Sequence, residues 1–281
     1  MGLSSNILWH QTDKESFYHI LESKQLLYSY SLERIIPTFK LKPVAFPMIS
    51  VSDYPFSEIG NNNWAYGNYC IGFRQDWGEK VGFSPVCYCS YGSRSLRQLD
   101  VLLNEAIKTG SQSMFGLSMF IFSHMKFVQA PLKTKKKSFE RYRFYDEREW
   151  RVVPYITETD KAEVLPFLNE DDYVEYKETH NGNSLLNFGV EFQYEDLHYI
   201  IVESEADVHK TREIIGDKCH IFTKEEVLAD IIGVNHHEEI LPSPEERDYE
   251  AAMRHIERMR KMFEEEWNKR KKSTENKENK E

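Results

Sequence analysis

The spacing of apolar residues divides most of the chain into short strands and helices. Apolar runs bounded by turn residues predict strands, and apolar residues at three- and four-residue steps predict helices. Strands dominate the middle of the chain, helices flank them, and no repeat is visible, so the predicted fold class is α+β around a central β-sheet. The predicted strands are 7–10, 44–51, 69–73, 85–91, 149–156, 185–192, 197–202 and 219–222, and the predicted helices are 13–24, 96–107, 113–125, 207–215 and 223–232.

Two helix starts and two helix ends carry local signals. Thr12 with Glu15, and Thr223 with Glu226, have the spacing of a capping box, in which each side chain satisfies a backbone amide of the first turn. Gly110 and Gly216 follow the last apolar positions of their segments, where glycine commonly ends a helix.

The C-terminal residues differ in composition from the rest. Residues 243–281 hold equal numbers of acidic and basic side chains, so the body carries the whole net charge of −10. We therefore predict a body of residues 1–241 and a tail of residues 242–281, with a disordered end after Lys272. The tail is either a helix packed on the body or a docking helix for a partner protein. Its amphipathic stripe consists of Tyr249, Ala252, Ile256, Met259, Phe263 and Trp267.

Composition excludes several classes of protein. Aromatic residues make up 14% of the 281 positions, which argues against a disordered chain. The longest apolar stretch, Met114–Phe122, is about half of what a bilayer span needs, so no membrane segment is expected. The four cysteines are too few and too scattered for a disulfide framework or a zinc site, which favours structural cysteines in the cytoplasm and no metal.

Three segments in the first third of the chain could carry chemistry. His10 and Thr12 end the first strand, where a histidine is either a satisfied structural residue or a ligand contact. Ser52 ends a strand that carries small hydroxyl side chains on one face. Tyr66 and Tyr69 lie among aromatics around two glycines, a pattern also typical of a tight turn beside the core.

The segment Glu147-Arg148-Glu149-Trp150-Arg151 is the most informative motif. Its two carboxylates are spaced i, i+2, which would point them to the same side where the chain enters a strand. Glu149 would be partly desolvated there unless it paired with Arg148 or Arg151. The motif is therefore either a structural salt-bridge cluster or a functional carboxylate that orients a ribose hydroxyl or activates a nucleophile.

A basic segment precedes this motif. Residues 133–143 contain six basic side chains, one acidic side chain and two aromatics. Cations and aromatic faces together are the ingredients of single-stranded nucleic-acid binding, but a solvated loop or a site for an acidic protein has the same composition. The candidate target-binding residues are Lys135, Lys136, Lys137, Phe139, Arg141 and Tyr142.

The order of these segments resembles the AbiGi family of abortive-infection proteins of phage defence. The resemblance covers residues 7–203, and its most specific piece is the run from Glu147 to Arg151. Members of that family carry the label of antitoxin, which is a genetic description and names no chemistry.

A more distant resemblance is to ADP-ribosyltransferases, including the DarT toxins that modify DNA bases. That resemblance implies that NAD is the substrate, that His10 contacts its adenosine ribose, and that Tyr66 or Tyr69 stacks on nicotinamide. Glu149 would hold the 2′-hydroxyl of the nicotinamide ribose and stabilise the oxocarbenium charge, and Glu147 would take a proton from the acceptor. Thr12 and Ser52 would complete the NAD contacts, although Ser50-Val51-Ser52 only approximates the Ser-Thr-Ser motif of those enzymes.

These observations lead to three hypotheses. The leading one is a phage-defence effector that uses NAD to modify RNA, DNA or a protein. The alternative is a non-catalytic antitoxin or binding module that has kept the fold and neutralises a partner toxin through the tail. The third, hydrolysis of NAD without an acceptor, differs from the first only in what receives the ribose.

Overall fold

The computed structural model describes residues 6–61, 64, 66–133, 138–155, 159, 164–181 and 183–233. Within these residues the fold is a mixed α+β arrangement, as predicted, with one large sheet, two small sheets and seven α-helices. The predicted tail, 242–281, lies outside the described residues. No helix in the described part of the chain is both long and apolar enough to cross a bilayer.

Ten strands form the large sheet. Its main path runs β12-β2-β3-β1-β4-β13-β14, β10 and β11 pair with β3, and β5 pairs with β10. All of these pairs are antiparallel except β13 with β14. The strands are β1 (Ile7–Thr12), β2 (Gln25–Glu33), β3 (Val44–Ser52), β4 (Tyr69–Arg74), β5 (Ser84–Pro85), β10 (Glu149–Val152), β11 (Leu168–Asn169), β12 (Leu185–Glu191), β13 (Leu197–Val202) and β14 (His220–Thr223).

The two small sheets have two strands each. Strands β6 (Cys87–Cys89) and β7 (Met125–Phe127) are parallel. Strands β8 (Ala130–Lys133) and β9 (Ser138–Tyr142) are antiparallel, and β9 covers most of the second half of the basic segment. The described part of that segment, for which a solvated loop was one of the alternatives, is therefore largely strand.

Seven α-helices accompany the sheet in the described part of the chain, and several of them have side-chain caps. The Ser93 hydroxyl at the start of α3 accepts from the Leu96 amide, and the Ser111 hydroxyl at the start of α4 accepts from the Met114 amide. The helices are α1 (Lys14–Ser23), α2 (Gln75–Val81), α3 (Arg94–Thr109), α4 (Gln112–Ser123), α5 (Glu170–Thr179), α6 (Glu205–Ile215) and α7 (Lys224–Gly233).

One predicted cap is wrong and the other is confirmed. The N-cap of α1 is Asp13, whose carboxylate accepts from the Ser16 amide at 2.9 Å, because Thr12 is still paired in β1. At α7, Thr223 and Glu226 exchange backbone and side-chain hydrogen bonds, with Thr223 N to Glu226 Oε2 at 2.6 Å.

Strand β3 positions β10, the strand that contains Glu149 and Arg151. Its first half pairs with β2, and its second half, from Ile49 to Ser52, pairs with β10. Ser52 is opposite Glu149 in β10 and also opposite Trp9 in β1. Because of this register, the last residue of β3 pairs with both the first residue of β10 and the middle of β1.

Candidate functional site

Glu149 begins β10 directly after a sharp turn. Residues Phe144–Glu147 form a 3₁₀ turn, and Arg148 has a φ of 44°, the left-handed conformation that ends it. Glu147 is consequently on the turn and not on the strand, so the prediction that both carboxylates open one strand is wrong. Arg148 donates to Asp53 at 3.3 Å, and its carbonyl accepts from the Asp53 amide at 3.0 Å, which fixes the turn to the end of β3.

Both carboxylate oxygens of Glu149 are bound by cations. Arg151 donates from Nε to Oε1 at 2.6 Å and from Nη2 to Oε2 at 3.0 Å, and Lys126 Nζ donates to Oε2 at 2.7 Å. Glu149 is only 5% exposed. Of the two arginines that the sequence offered as partners, Arg151 is the one that binds Glu149.

Arg151 is the centre of this buried network. It is 0% exposed, and besides Glu149 it donates to the Ser123 carbonyl at 2.7 Å and to the carboxylate of Glu33. Lys126 extends the network by donating to Glu147 Oε2 at 3.3 Å. We call Glu33, Lys126, Glu147, Glu149 and Arg151 the ion-pair cluster.

The charges of the cluster keep Glu149 and Lys126 ionised. Burial alone would raise the pKa of Glu149, but the adjacent Arg151 and Lys126 outweigh it and hold that pKa well below its usual range. For Lys126, burial works in the opposite direction, and the neighbouring Glu149 and Glu147 carboxylates raise its pKa in spite of it. Glu149 is therefore a carboxylate at neutral pH and accepts hydrogen bonds only.

Three aromatic side chains, those of Tyr66, Phe144 and Tyr88, contact the ion-pair cluster or the backbone of Glu149. The Tyr66 hydroxyl donates to Glu147 Oε1 at 2.8 Å while 48% of the residue stays exposed. Burial of its oxygen beside the Glu147 carboxylate raises the pKa of Tyr66, so the hydroxyl keeps its proton. The Phe144 ring lies 4.4 Å from Lys126 Nζ, and the Tyr88 hydroxyl accepts from the Glu149 amide at 2.8 Å.

A close approach between two backbones places Tyr66. The next residue, Gly67, has its carbonyl bonded to Gln11 Nε2 at 2.8 Å. A Cβ atom on Gly67 would lie 1.9 Å from the Thr12 carbonyl oxygen, which no side chain permits. The Tyr66 segment is thereby held against the end of β1.

The other predicted NAD contacts occupy neighbouring strand ends. His10 Nδ1 lies 3.2 Å from the Ser50 carbonyl, and burial lowers the pKa of the imidazole although that hydrogen bond opposes the shift. Thr12 and Ser52 are half-buried at the ends of β1 and β3. The structure thus brings Ser52 into register with Glu149 and places His10 beside the same strand.

Tyr69 has a different environment from Tyr66. It is buried, its hydroxyl donates to Asp207 Oδ2 at 2.9 Å, and its ring packs at 5.1 Å from Phe17. Of the two tyrosines between which the sequence left the choice open, Tyr66 is the one that contacts a carboxylate of the motif.

The candidate target-binding residues lie on β9 where they are described. The Phe139 and Tyr142 rings are 5.3 Å apart, and Tyr142 packs edge-on against Phe144 at 4.9 Å. Arg141 is exposed. Lys135, Lys136 and Lys137 lie outside the described residues.

Sequence reasoning missed several members of the site. Lys126, Glu33 and Tyr88 are 23, 116 and 61 positions from Glu149, and no local spacing links them to it. The i, i+2 spacing of Glu149 and Arg151 was the one signal in the sequence for the network.

Comparison with protein families gives one match. A family model described as "Putative abortive phage resistance protein AbiGi, antitoxin" matches residues 18–203, about two thirds of the chain. The match includes the ion-pair cluster and begins after His10 and Thr12. No curated protein and no solved structure matches.

Proposed function

The chain belongs to the AbiGi family of abortive phage resistance proteins, and from that membership we propose that it is a phage-defence antitoxin that acts by binding a protein toxin. The proposal takes the alternative hypothesis of the sequence as the stronger one. The description of the family supports it, and so does the state of Glu149.

The observation that carries the proposal is that Arg151 and Lys126 already bind both oxygens of the buried Glu149 carboxylate. An ADP-ribosyltransferase glutamate needs an oxygen that can accept from the ribose 2′-hydroxyl, on the side where charge develops. Here Oε1 is held by Arg151, and Oε2 is held by Arg151 and Lys126 together. A ribose hydroxyl would have to reach the remaining lone pair of Oε1, on a residue that is only 5% exposed.

The ion-pair cluster has a structural role that fits a binding module. A buried ion pair contributes little net stability compared with apolar packing, but it can fix one conformation. Through Lys126 and Glu147, the cluster holds the turn 144–147 and the Tyr66 hydroxyl in place. The exposed aromatic rings of this surface are therefore preorganised.

The surface above the cluster has the composition of a protein interface. Tyr66 and Tyr145 are 48% and 51% exposed, and the Tyr145 ring packs edge-on against Tyr88 at 5.2 Å. We call Tyr66, Tyr88 and Tyr145 the tyrosine patch. Tyrosine and arginine are enriched among residues that dominate binding energy, and a fixed tyrosine loses little conformational entropy on binding.

The charges around the tyrosine patch favour a protein over a nucleic acid. Residues 138–148 contain three acidic and three basic side chains, and two of the arginines are paired, Arg143 with Asp146 and Arg148 with Asp53. Phosphate binding requires uncompensated cations. A neutral, aromatic surface is better matched to a folded partner.

Co-expression tests the proposal. The chain should restore growth to cells that express a toxin gene from the same locus, and the purified pair should bind in isothermal titration calorimetry. Tyr145→Ala should weaken both effects, whereas Val174→Ala, a change at an exposed site on α5, should leave them unchanged. Restored growth without any binding would overturn the proposed mode of action.

A second candidate remains the ADP-ribosyltransferase of the leading sequence hypothesis. The observation in its favour is the contact between Tyr66 and Glu147, which joins the proposed nicotinamide-stacking residue to the proposed acceptor base. Nicotinamide release from NAD by the purified chain, lost in a Glu149→Gln variant that circular dichroism shows to be folded, would support this candidate and contradict a purely binding role.

A further inference from the structure

Two exposed carboxylates lie beside the Tyr66 segment of the tyrosine patch. Gly67, the residue after Tyr66, packs against the end of β1, where a Cβ atom on it would be 2.8 Å from the Asp13 amide nitrogen. Asn68 donates from Nδ2 to Glu203 Oε1 at 3.0 Å. Asp13 and Glu203 are both exposed, and we call this pair of carboxylates the acidic edge.

The starts of two helices bring the acidic edge together. Asp13 is the N-cap of α1, and Glu203 directly precedes Ser204, the N-cap of α6. The ion pair between Lys14 on α1 and Asp207 on α6, at 2.6 Å, joins the two helix starts. Capping explains an acidic residue at position 13. It does not explain one at position 203, which lies outside the helix.

The cations nearest the acidic edge are engaged by other groups. Lys14 is paired with Asp207. Lys224 Nζ donates to Asn68 Oδ1 at 2.9 Å and lies 4.3 Å from the centre of the Trp64 ring. In the described part of the chain, neither carboxylate of the acidic edge forms an ion pair. The negative charge beside Tyr66 is therefore available to a partner.

We propose that the toxin bound at the tyrosine patch has a basic contact surface, whose cations pair with Asp13 and Glu203 beside the Tyr66 ring. This inference rests on the proposed antitoxin function and names the chemistry of its partner. Opposite charges across an interface favour the correct partner, and arginine in addition stacks on the face of an exposed tyrosine ring.

The charge of the whole chain agrees with a basic partner. Its net charge of −10 repels nucleic acids and a second copy of the chain, and it attracts a cationic protein before contact is made. Long-range attraction of this kind mainly raises the rate of association, whereas contacts at the centre of an interface mainly set the rate of dissociation. The acidic edge and the tyrosine patch should therefore act on different rate constants.

Stopped-flow association of the full chain with the purified toxin encoded at the same locus tests the inference. Glu203→Gln keeps an oxygen that can accept from Asn68, and Asp13→Asn keeps a capping side chain, so both substitutions should leave the chain folded. The double variant should lower the association rate constant about fivefold at low salt and should weaken its dependence on salt.

A second double variant is the matched control. Glu175→Gln with Glu178→Gln removes the same two charges from exposed positions on α5. If the local charge beside Tyr66 guides the toxin, this variant should leave the association rate constant nearly unchanged. An equal loss of rate in both double variants would overturn the inference, because the effect would then come from net charge alone.

The results also separate this inference from the antitoxin proposal. If the toxin binds and Tyr145→Ala weakens the complex, but neither salt nor the acidic-edge variant changes the association rate, only the basic contact surface is overturned. A toxin that does not bind the chain at all would overturn the antitoxin proposal and this inference with it.

Discussion

Arg151 binds Glu149 through two nitrogens, although the residues are only two positions apart on one strand. The Nε–Oε1 and Nη2–Oε2 distances are 2.6 Å and 3.0 Å. Because alternate residues of a strand point to the same side, this pair forms wherever β10 forms. The carboxylate that the motif offers for chemistry is thus neutralised by its own strand.

Replacing Glu149 tests its structural role through the stability of the protein. Glu149→Gln leaves the buried Arg151 and Lys126 without their shared counter-charge, and we expect the free energy of unfolding to fall by about 3–5 kcal/mol. Urea denaturation followed by tryptophan fluorescence measures it. Glu105→Gln, which breaks an exposed pair with Lys108, is the matched control and should change little. A Gln variant as stable as the parent would argue against a structural pair.

Acid should destabilise the protein before its carboxylates titrate. Burial lowers the pKa of His10, His124 and His198 below 6.5 in the folded chain. Below about pH 6.5 the unfolded chain binds protons that the folded chain does not, so the free energy of unfolding should fall as the pH drops from 7 to 5.5.

The same unfolding series in His10→Asn checks the assignment. Asparagine can still donate to the Ser50 carbonyl but does not titrate, so the pH dependence should become weaker. If the free energy of unfolding of the variant depended on pH as steeply as that of the parent, His10 would not contribute to the pH dependence.

The tyrosine patch makes a prediction for toxin binding. Tyr66→Ala and Tyr145→Ala should each weaken the complex by about 2 kcal/mol, the scale of an interface hot spot. Tyr66→Phe keeps the ring but loses the hydrogen bond to Glu147, so its loss should be smaller. Calorimetric dissociation constants provide the measurement. If all three variants bound the toxin as tightly as the parent chain does, the interface would lie elsewhere.

The basic segment, residues 133–143, gives a separate prediction that is based on its sequence. If it binds single-stranded RNA or DNA, charge reversal at Lys135, Lys136 and Lys137 should lower the affinity and the slope of its salt dependence. Phe139→Ala should cost about 1–3 kcal/mol if a base stacks there. Filter-binding titrations at several salt concentrations measure the affinity and its salt dependence. If neither quantity changed in these variants, the basic segment would be ordinary solvated surface.

Local patterns predicted most of the strands and helices correctly. Strand β2 alternates buried Leu26, Tyr28 and Tyr30 with less buried residues, of which only Leu27 is apolar, so the pattern was present there and was not assigned. Helix α5 could not be predicted in the same way, because none of its residues is buried and it has no apolar periodicity. Its Asn169 cap and the three acidic residues of its first turn stabilise it instead.

The site was less predictable than the fold. Glu149 was chosen from its position at the start of a strand, but the cations that define its state come from β7 and β10. Arg151 was within reach of sequence reasoning as the i+2 neighbour. Lys126 was not, because its contact with Glu149 exists only after β7 and β10 have been brought together by tertiary packing.

Gly67 gives the tyrosine patch an unusual sensitivity to mutation. Even the smallest substitution, Gly67→Ala, would place a methyl carbon 1.9 Å from the Thr12 carbonyl oxygen, so the backbone on either side would have to separate. Tyr66 would move with it and lose the Glu147 carboxylate. Among relatives that keep the same partner, variation at position 67 should therefore be rarer than variation at Tyr66 itself, where another aromatic ring could serve.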